Sequence, residues 1–447
     1  MTAATIAVML RNTARFLLLL SFSACFPGET PAPKTLAEAS TIALASSLLT
    51  APGSRPFHLK LTIRDVQNPD SNDHGEIEEF WASPTQWKRI VTAPNLKHIT
   101  IVDETGRHIE SSGDYMPLWL RGFITAIEDP IPAVLRKNSE VVIQHPLLPN
   151  GSPAAPCAGI KLNFASVSAP AEVCFFSNYH LYSVSSPGYQ MEFNEYGPFE
   201  GRDVPHLLLS GMGETLLVGK VVTLEKLSSK PDTFAVSASL STVDPLASVM
   251  VPPSTIERLA KAPLAFNWPA VPGGPTSGNL TAYVSVDITG QVREVFILDS
   301  PNAHLMEAAR RQLLAMKWNP AVSKGQPVQI ASIMGLPFTT SLDSAASGSL
   351  PTQNNPSSVT RGRALSQPKP QYPPEARFQH ISGSVYLSAL IGKTGAVEKL
   401  GVIDSPSPIL TDAAITAVKQ WKYQPYLIDG VPVSVSTTIT VNFLFSR

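Results

Sequence analysis

Three cysteines are the residues whose chemistry this sequence specifies most directly. Cys157 and Cys174 lie in two segments with the pattern of neighbouring strands, and small residues connect the segments. In an oxidising compartment, a disulfide across such a loop would stabilise the fold by roughly 3 kcal/mol. Two buried free thiols are the alternative. With two candidate ligands and no clustering of histidine with cysteine, we do not expect a zinc site.

The third cysteine, Cys25, follows a segment typical of secretory signals. Arg11 and Arg15 precede an apolar run over residues 16–20, and small residues follow that run. This order predicts a signal peptide over residues 1–25, because the apolar run is too short to span a membrane. The residues before Cys25 resemble a bacterial lipobox, in which the cysteine is acylated and becomes the new N-terminus. Cleavage into the periplasm without a lipid is the alternative.

No catalytic or cofactor-binding motif accompanies these cysteines. The sequence contains no Gly-x-Ser-x-Gly, no phosphate-binding loop and no dinucleotide fingerprint, and no pair among its 9 histidines has helical ligand spacing. The acidic loop at residues 70–73 lacks the glutamate that an EF-hand loop carries at its twelfth position, where Trp81 stands. A net charge of −1 gives no basic surface for nucleic acid. We therefore expect neither an enzyme nor a bound metal, cofactor or nucleic acid.

The clearest pattern in the chain is an alternating run near its C-terminal end. From Val431 to Phe445 the odd positions are apolar or threonine, and the even positions are Pro, Ser, Thr or Asn until Leu444. A period of two predicts a long strand with one buried face and one solvent-exposed face. Proline occurs only near the start of the run, so the free edge of this strand could pair with another chain.

The upstream half of the chain has a different organisation. Residues 26–49 are interpreted as a tether and a short helix, and residues 50–242 as an antiparallel sheet with a helix from Pro117 to Glu128. The order of these elements in an exported protein resembles the half-barrel of lipoprotein-carrier proteins of the LolA type. The resemblance implies an apolar cavity for an acyl chain, and a sheet packed on its own helices without a ligand is the alternative. Residues 243–264 are interpreted as a connector.

Two stretches of the C-terminal half match each other at a constant offset of 105 residues. The match predicts two small ββαβ domains, residues 265–340 (the first unit) and residues 368–447 (the second unit). A Ser- and Pro-rich linker over residues 341–367 joins them. Gly335 and Pro337 predict an interruption in the last strand of the first unit, which we therefore interpret as a degenerate copy suited to packing or dimerising more than to recruiting a strand. The clearest matches are Thr289-Gly290 with Thr394-Gly395, Asp299-Ser300-Pro301 with Asp404-Ser405-Pro406, and Lys317-Trp318-Asn319-Pro320 with Lys422-Tyr423-Gln424-Pro425.

The second unit contains Gln371-Tyr372-Pro373, Gly383, Gly395-Ala396-Val397, Ala413-Ala414 and Trp421-Lys422-Tyr423-Gln424-Pro425. With these residues it resembles the C-terminal domain of the TonB family. The resemblance implies a periplasmic domain that captures a short segment of an outer-membrane transporter by adding it as a strand. We interpret Trp421 and Tyr423 as core residues that shape the site without contacting the partner.

The docking edge predicted from the pattern and from this resemblance covers Val433 to Phe443. The residues expected to bind the partner lie within this edge or beside it, and they are Tyr372, Pro373, Val433, Val435, Thr437, Ile439, Val441 and Phe443.

Taken together, these features predict an α+β chain with an N-terminal antiparallel sheet, helices and two small ββαβ domains. They favour a TonB-like protein of the cell envelope, located in the periplasm, with membrane anchoring through Cys25 as one outcome. Its partner would be an outer-membrane transporter or another envelope protein. The alternative is a periplasmic lipid or small-molecule carrier whose two C-terminal units serve oligomerisation, and a homodimer stays open.

Overall fold

The computed structural model describes residues 32–444 except 67, 69, 138–139, 146–154, 165–166, 213–214, 229–232, 237–239, 343–358, 361–362 and 429–430. The signal segment and Cys25 therefore lie outside the described residues. The described residues from Lys34 onward form one compact body. Its content of 18% helix and 48% strand confirms the α+β class. Among the described helices, none has the length and apolar character that crossing a bilayer requires.

The N-terminal half is built on one antiparallel sheet of 11 strands, which we call the N-terminal sheet. The strands lie in the order β5-β4-β3-β2-β1-β11-β10-β9-β8-β7-β6. Every pair of neighbours is therefore consecutive in the chain except β1 and β11, and the consecutive strands β5 and β6 form the two edges. Their bounds are β1 Phe57–Asp65, β2 His74–Ser83, β3 Gln86–Ala93, β4 Leu96–Asp103, β5 Gly106–Ser112, β6 Cys157–Phe164, β7 Val167–Phe175, β8 Leu181–Ser186, β9 Tyr189–Phe199, β10 Arg202–Met212 and β11 Thr215–Lys226.

Three helices pack against one face of this sheet, namely α1 (Leu36–Ser47), α2 (Leu118–Glu128) and α3 (Ala133–Arg136). Helix α1 begins with a capping box, because the Thr35 side chain accepts from the Glu38 amide while the Glu38 carboxylate accepts from the Thr35 amide. Alternating strand residues meet the apolar sides of the helices and form the core. Its fully buried members include Leu36, Leu61, Ile77, Leu120, Phe123, Phe175 and Phe193.

An apolar cavity between α2 and the sheet is small. It is lined mainly by aliphatic and aromatic side chains, among them Leu59, Ile127, Phe193 and Leu208, and its volume is about 40 Å³. Pockets that hold small molecules usually measure about 300–1,000 Å³. The helices therefore occupy most of the space that an acyl chain would need.

The first unit and the connector before it form a four-stranded sheet in the order β12-β17-β13-β14, with a helix on one face. Trp318 is the largest fully buried side chain of this core, and its indole N–H donates to the Ile256 carbonyl at 2.8 Å. The elements are β12 Val249–Met250, α4 Pro253–Leu259, β13 Ser277–Val286, β14 Val292–Asp299, a 3-10 turn Ala303–Leu305, α5 Met306–Ala315, β15 Ala321–Ser323, β16 Gln326–Val328 and β17 Ile330–Thr339.

The second unit has a three-stranded sheet in the order β21-β20-β25. Two short strands, β18 (Val359–Thr360) and β19 (Ala364–Ser366), lie in the region interpreted as linker and pair with strands of the second unit. The other elements are α6 Pro374–Phe378, β20 Gly383–Ile391, β21 Val397–Asp404, α7 Pro408–Val418, β22 Lys422–Tyr423, β23 Tyr426–Ile428, β24 Val431–Val433 and β25 Val435–Phe443.

The two units share their strand register as well as their order of elements. Ala331 pairs with Ser285 in the first unit, and Ser436 pairs with Leu390 in the second, each 105 residues later. Glycine holds the same turn in both, since Gly290 and Gly395 have φ of 86° and 79°. A β-carbon there would come within 2.1 Å of the Trp318 carbonyl oxygen or 1.9 Å of the Tyr423 carbonyl oxygen.

Candidate strand-docking site

Strand β25 lies at one edge of the sheet of the second unit. It pairs antiparallel with β20 over its whole length, from Val435 opposite Ile391 to Phe443 opposite Gly383. Within the described residues, no strand and no isolated bridge pairs with its other edge. An unpaired edge presents a row of backbone N–H and C=O groups to solvent and is a template for another strand.

The alternation seen in the sequence produces the expected two faces. Ile439, Val441 and Phe443 are 6%, 4% and 2% exposed and belong to the core beneath α6 and α7, whereas Thr440 and Asn442 are exposed. The side chains of Val435 and Thr437 are half-buried. The odd-numbered residues thus fix the strand to the domain by their side chains.

Tyr372 and Pro373 lie beside the end of this strand, as the sequence predicts. The Tyr372 ring packs edge-on against the Phe443 ring at 5.5 Å, and its hydroxyl donates to the Ile381 carbonyl at 2.5 Å. The Arg377 guanidinium lies 5.5 Å above the same tyrosine ring. Pro373 is the residue immediately before α6, where its fixed φ is compatible with extended backbone leading into a helix. Val433 is separated from the others, because it lies in β24 and pairs with Tyr426.

Trp421 and Tyr423 have structural contacts. The Trp421 indole packs partly against the core, and its N–H donates to the Pro368 carbonyl at 3.0 Å. The Tyr423 hydroxyl accepts from the Gln367 side chain at 3.3 Å, and partial burial raises the pKa of this phenol. Both side chains therefore hold the segment that leads into the second unit.

The equivalent edge in the first unit is occupied by the chain itself. Strand β12 runs parallel to β17, with Val249 beside Ile330 and Met250 beside Ala331. The Val249 amide donates to the Gln329 carbonyl at 3.1 Å, and the Val251 amide donates to the Ala331 carbonyl at 2.8 Å. The connector thus adds a short fourth strand to this sheet.

These bonds reveal which backbone groups of β17 point outward. The carbonyls of Gln329 and Ala331 face β12, whereas the amide of Thr340 donates inward to the Thr276 carbonyl at 2.8 Å. Because backbone direction alternates along a strand, odd-numbered residues face the outer edge of β17 and even-numbered residues face β13. Because 105 is an odd number, the odd-numbered residues of β17 correspond to even-numbered residues of β25. We therefore infer that Ser436, Thr438, Thr440 and Asn442 direct their backbone groups to the open edge of β25.

Strand β17 is continuous from Ile330 to Thr339, so the interruption predicted from Gly335 and Pro337 is wrong. Pro337 occupies an outward-facing position, where its missing N–H costs no bond to β13. The same proline removes a donor from the outer edge. What distinguishes the two units is therefore the state of that edge, which is partly covered by β12 in the first unit.

Sequence reasoning missed β12 because a strand of two residues has no period to detect. The triplet Val249-Met250-Val251, apolar and followed by two prolines, is the signal that could have revealed it. Prolines after an apolar triplet allow an extended segment but end its pairing.

Cys157 and Cys174 are joined by a disulfide between the paired strands β6 and β7. The Glu172 carboxylate lies within 4.8 Å of both sulfur atoms, and these three residues could hold a metal only after reduction, because thiolate is the metal ligand.

Replacing both cysteines with serine should lower the free energy of unfolding by about 3 kcal/mol, because the bridge closes a loop with a sequence separation of 17. Urea unfolding with and without dithiothreitol measures the effect. Reductant should destabilise the wild type by a similar amount and leave the double variant unchanged. A wild type insensitive to reductant would contradict a stabilising bridge.

Comparison with known proteins bears on the second unit. Residues 368–445 match the family model described as Gram-negative bacterial TonB protein C-terminal. A stretch of 78 residues, 17% of this chain, is 35% identical to Protein TonB of Vibrio cholerae serotype O1, and it spans 32% of that protein. The resemblance predicted for the second unit is confirmed. The structure is also similar to a LolA superfamily protein from Nitrosomonas europaea, at 10% identity and a TM-score of 0.27, over 44% of this chain and 97% of that one.

Proposed function

We propose that this chain is a TonB-like cell-envelope protein that binds its partner by strand addition at the open edge of β25. The observation that supports the proposal is the contrast between two edges in the same register, one partly covered by β12 and the other without a pairing strand among the described residues. The partner would be an extended segment of an outer-membrane transporter or of another envelope protein. Main-chain hydrogen bonds supply affinity in this mode, and alternate side chains supply specificity.

The first unit supplies a template for the geometry of capture. By equivalence with β12, the incoming strand would run parallel to β25 and pair near Val435 and Ser436. The Ser332 hydroxyl donates to the Val251 carbonyl at 2.9 Å, and Thr437 carries a hydroxyl at the equivalent position. An apolar triplet such as Val-Met-Val is thus the chemistry that this edge would accept.

A peptide with the sequence of residues 245–251, Pro-Leu-Ala-Ser-Val-Met-Val, tests this proposal on the full chain. We expect it to bind at least about tenfold more tightly than a peptide of scrambled sequence, because apolar side chains must fall in register with the edge. Isothermal titration and exchange protection of the β25 amides provide the readouts. Equal binding of both peptides, or protection confined to the N-terminal sheet, would overturn the proposal.

We also propose that the chain is exported and anchored through a lipid on Cys25. The basic, apolar and small residues before this cysteine support export, and the disulfide agrees with an oxidising compartment. The lipid would tether the described body to a membrane surface. No catalytic role is part of the proposal.

Replacing Cys25 with alanine should move the protein from the membrane fraction to the soluble fraction, since one thioether-linked lipid anchor is lost. Fractionation with mass spectrometry of the mature N-terminus measures both location and acylation. A variant that still fractionates with membranes would contradict the anchor.

The carrier alternative receives little support from the cavity between α2 and the sheet. Its volume of about 40 Å³ is far below the roughly 300 Å³ at which ligand pockets begin. Tyr196 lines this cavity, and its hydroxyl donates to the Leu181 carbonyl at 2.6 Å. We therefore prefer the strand-docking function.

A further inference from the structure

Both C-terminal units contact the N-terminal half through the same face of their sheets. In the first unit this face carries Tyr283 and Phe296, which pair across β13 and β14. In the second unit the same two positions, 105 residues later, are Ser388 and Gly401, which pair across β20 and β21. Two aromatic side chains in one contact thus correspond to two of the smallest residues in the other.

The contact of the first unit is large and rich in buried polar groups. Tyr283 is 2% exposed, packs with Leu118 of α2, and accepts a hydrogen bond from Arg121 at 3.2 Å. The Glu294 carboxylate accepts from the Tyr115 hydroxyl and from the Leu118 amide. Burial raises the pKa of Glu294 and that of Tyr115. Separating the first unit from the N-terminal half would break several buried hydrogen bonds together, and such bonds are stronger in a low-dielectric interior than in water.

A second pair of bonds fixes the first unit in place. The Gln329 side-chain amide donates to the Met116 carbonyl at 3.0 Å, and its oxygen accepts from the Met116 amide at 3.0 Å. Gln329 is fully buried. The first unit is therefore an integral part of the N-terminal body.

The contact of the second unit is smaller and more exposed. Ile403 inserts among five apolar side chains on the face of the N-terminal sheet opposite the helices, which we call the outer patch: Val66, Leu207, Leu209, Leu216 and Val218. Arg64 donates to the Ile403 carbonyl at 3.1 Å. Lys220 and Asp404 form an ion pair at 2.7 Å in which the side chains are 46% and 31% exposed.

Gly401 allows the close approach of the two surfaces. A β-carbon at this position would lie 2.1 Å from the Val66 carbonyl oxygen, so any other residue would push β21 away from the N-terminal sheet. The fit is therefore specific although the contact is small. The outer patch also explains the run Leu207-Leu208-Leu209, because Leu208 faces the helices while its neighbours face Ile403.

We propose that the contact between β21 and the outer patch is a releasable latch, which holds the second unit against the N-terminal sheet while the first unit stays fixed. The contact consists of Ile403 and the partly buried Tyr386 on the outer patch, hydrogen bonds from Arg64 to two backbone carbonyls, and a partly exposed ion pair. A small contact of this kind can open and close more readily than the buried polar network of the first unit. This proposal does not depend on the proposed function. The latched strand β21 and the docking strand β25 are opposite edges of one sheet, so closing the latch leaves the docking edge uncovered.

Release would extend the reach of the docking edge. Leu342 is held by a bridge to Val271, and Val359 begins the pairing of the second unit, so residues 343–358 are the covalent connection between them. A chain of this length spans at most roughly 55 Å when fully extended. The latch thus sets whether β25 is held at the body or can sample positions away from it.

Charge exchange across the latch tests the proposal in the full chain. In a Cys25→Ala background, spin labels at Glu104→Cys and Thr416→Cys, both exposed positions, report the distance between the N-terminal sheet and α7. We expect one narrow distance in the wild type. The Glu195 carboxyl lies beside Asp404, so every variant also carries Glu195→Gln to prevent a new ion pair. Asp404→Lys should then raise the ratio of the broad to the narrow distance population about tenfold, because Lys220 and Arg64 face a positive charge. Adding Lys220→Asp should restore the narrow distance.

Asp299→Lys is the matched control, since Asp299 is the exposed residue of the first unit that corresponds to Asp404. It should leave the distances unchanged. A wild type with only broad distances would show that no latch exists. A distribution for Asp404→Lys that equals the control would show that the contact does not open when its ion pair is lost, and would overturn the latch.

Discussion

Replacing Ser436 with proline is expected to weaken capture of the peptide Pro-Leu-Ala-Ser-Val-Met-Val at least about tenfold while the second unit stays folded. By equivalence with Ala331, the backbone of Ser436 faces the open edge and lies where the incoming strand would pair. Proline removes the N–H, and its ring occupies the space that a paired strand needs. The domain should tolerate it, because Pro337 stands at an outward-facing position of the continuous strand β17.

Thr437→Pro is the matched control for this experiment. The amide of Thr437 faces β20, where the residue pairs with Ala389, so proline there breaks the ladder inside the sheet. We expect a loss of about 1–3 kcal/mol in the stability of the second unit, because a carbonyl of β20 is left without its donor. Peptide titration and urea unfolding separate the two effects. Unchanged capture by a folded Ser436→Pro variant would rule out pairing at this part of the edge.

Replacing Arg89 with alanine is expected to destabilise the N-terminal sheet by about 3–5 kcal/mol, the largest effect on stability that we predict. Arg89 lies opposite Glu79 on β3 and β2, and its Nε and Nη2 atoms donate to the Glu79 carboxylate at 2.9 and 2.6 Å. The two side chains are only 8% and 4% exposed. Removing the guanidinium leaves a buried carboxylate without its counter-charge.

The pH dependence of this variant follows from Glu79. Burial raises the pKa of Glu79 above its ordinary value of 4.5, and Arg89 opposes this rise, so the pKa of Glu79 is raised further in the folded variant. A raised carboxyl pKa favours the folded state at low pH, and that contribution is lost as the pH rises through the folded pKa. The loss of unfolding free energy caused by Arg89→Ala, which we call the deficit, should therefore be smaller near about pH 5 than near about pH 8.

Urea unfolding followed by circular dichroism at both pH values measures the deficit. The double variant Glu79→Leu/Arg89→Met is the control, and it should come within about 2 kcal/mol of the wild type because no buried charge is left uncompensated. Glu128, which also accepts from Arg89, is 42% exposed and can be solvated. A deficit that is the same at both pH values would show that Glu79 is not its source.

The features that sequence reasoning predicted are those encoded by local periodicity. The alternation at Ile439, Val441 and Phe443 specified a strand and its buried face, because side chains alternate with a period of two wherever one face is packed. The constant offset between the two stretches predicted their common register, since paired strands tolerate no single-residue shift.

Features that depend on contacts between distant segments were not predictable. Tyr283 and Ser388 occupy equivalent positions, and neither residue indicates which surface it will meet. The run Leu207-Leu208-Leu209 indicates burial on both faces, but it does not identify Ile403, a residue far along the chain, as the cover. The occupied edge of β17 escaped detection for a similar reason, because two residues of β12 carry no pattern.

The strands that lead into the second unit have a practical consequence for dissecting the chain. Strand β18 pairs with β23, β19 pairs with β22, and the Trp421 indole is held by the Pro368 carbonyl. A truncation at residue 368, where the family match begins, would strip two strands from the module and leave their partners unpaired. An autonomous module for excision or transplantation should therefore start ahead of Val359.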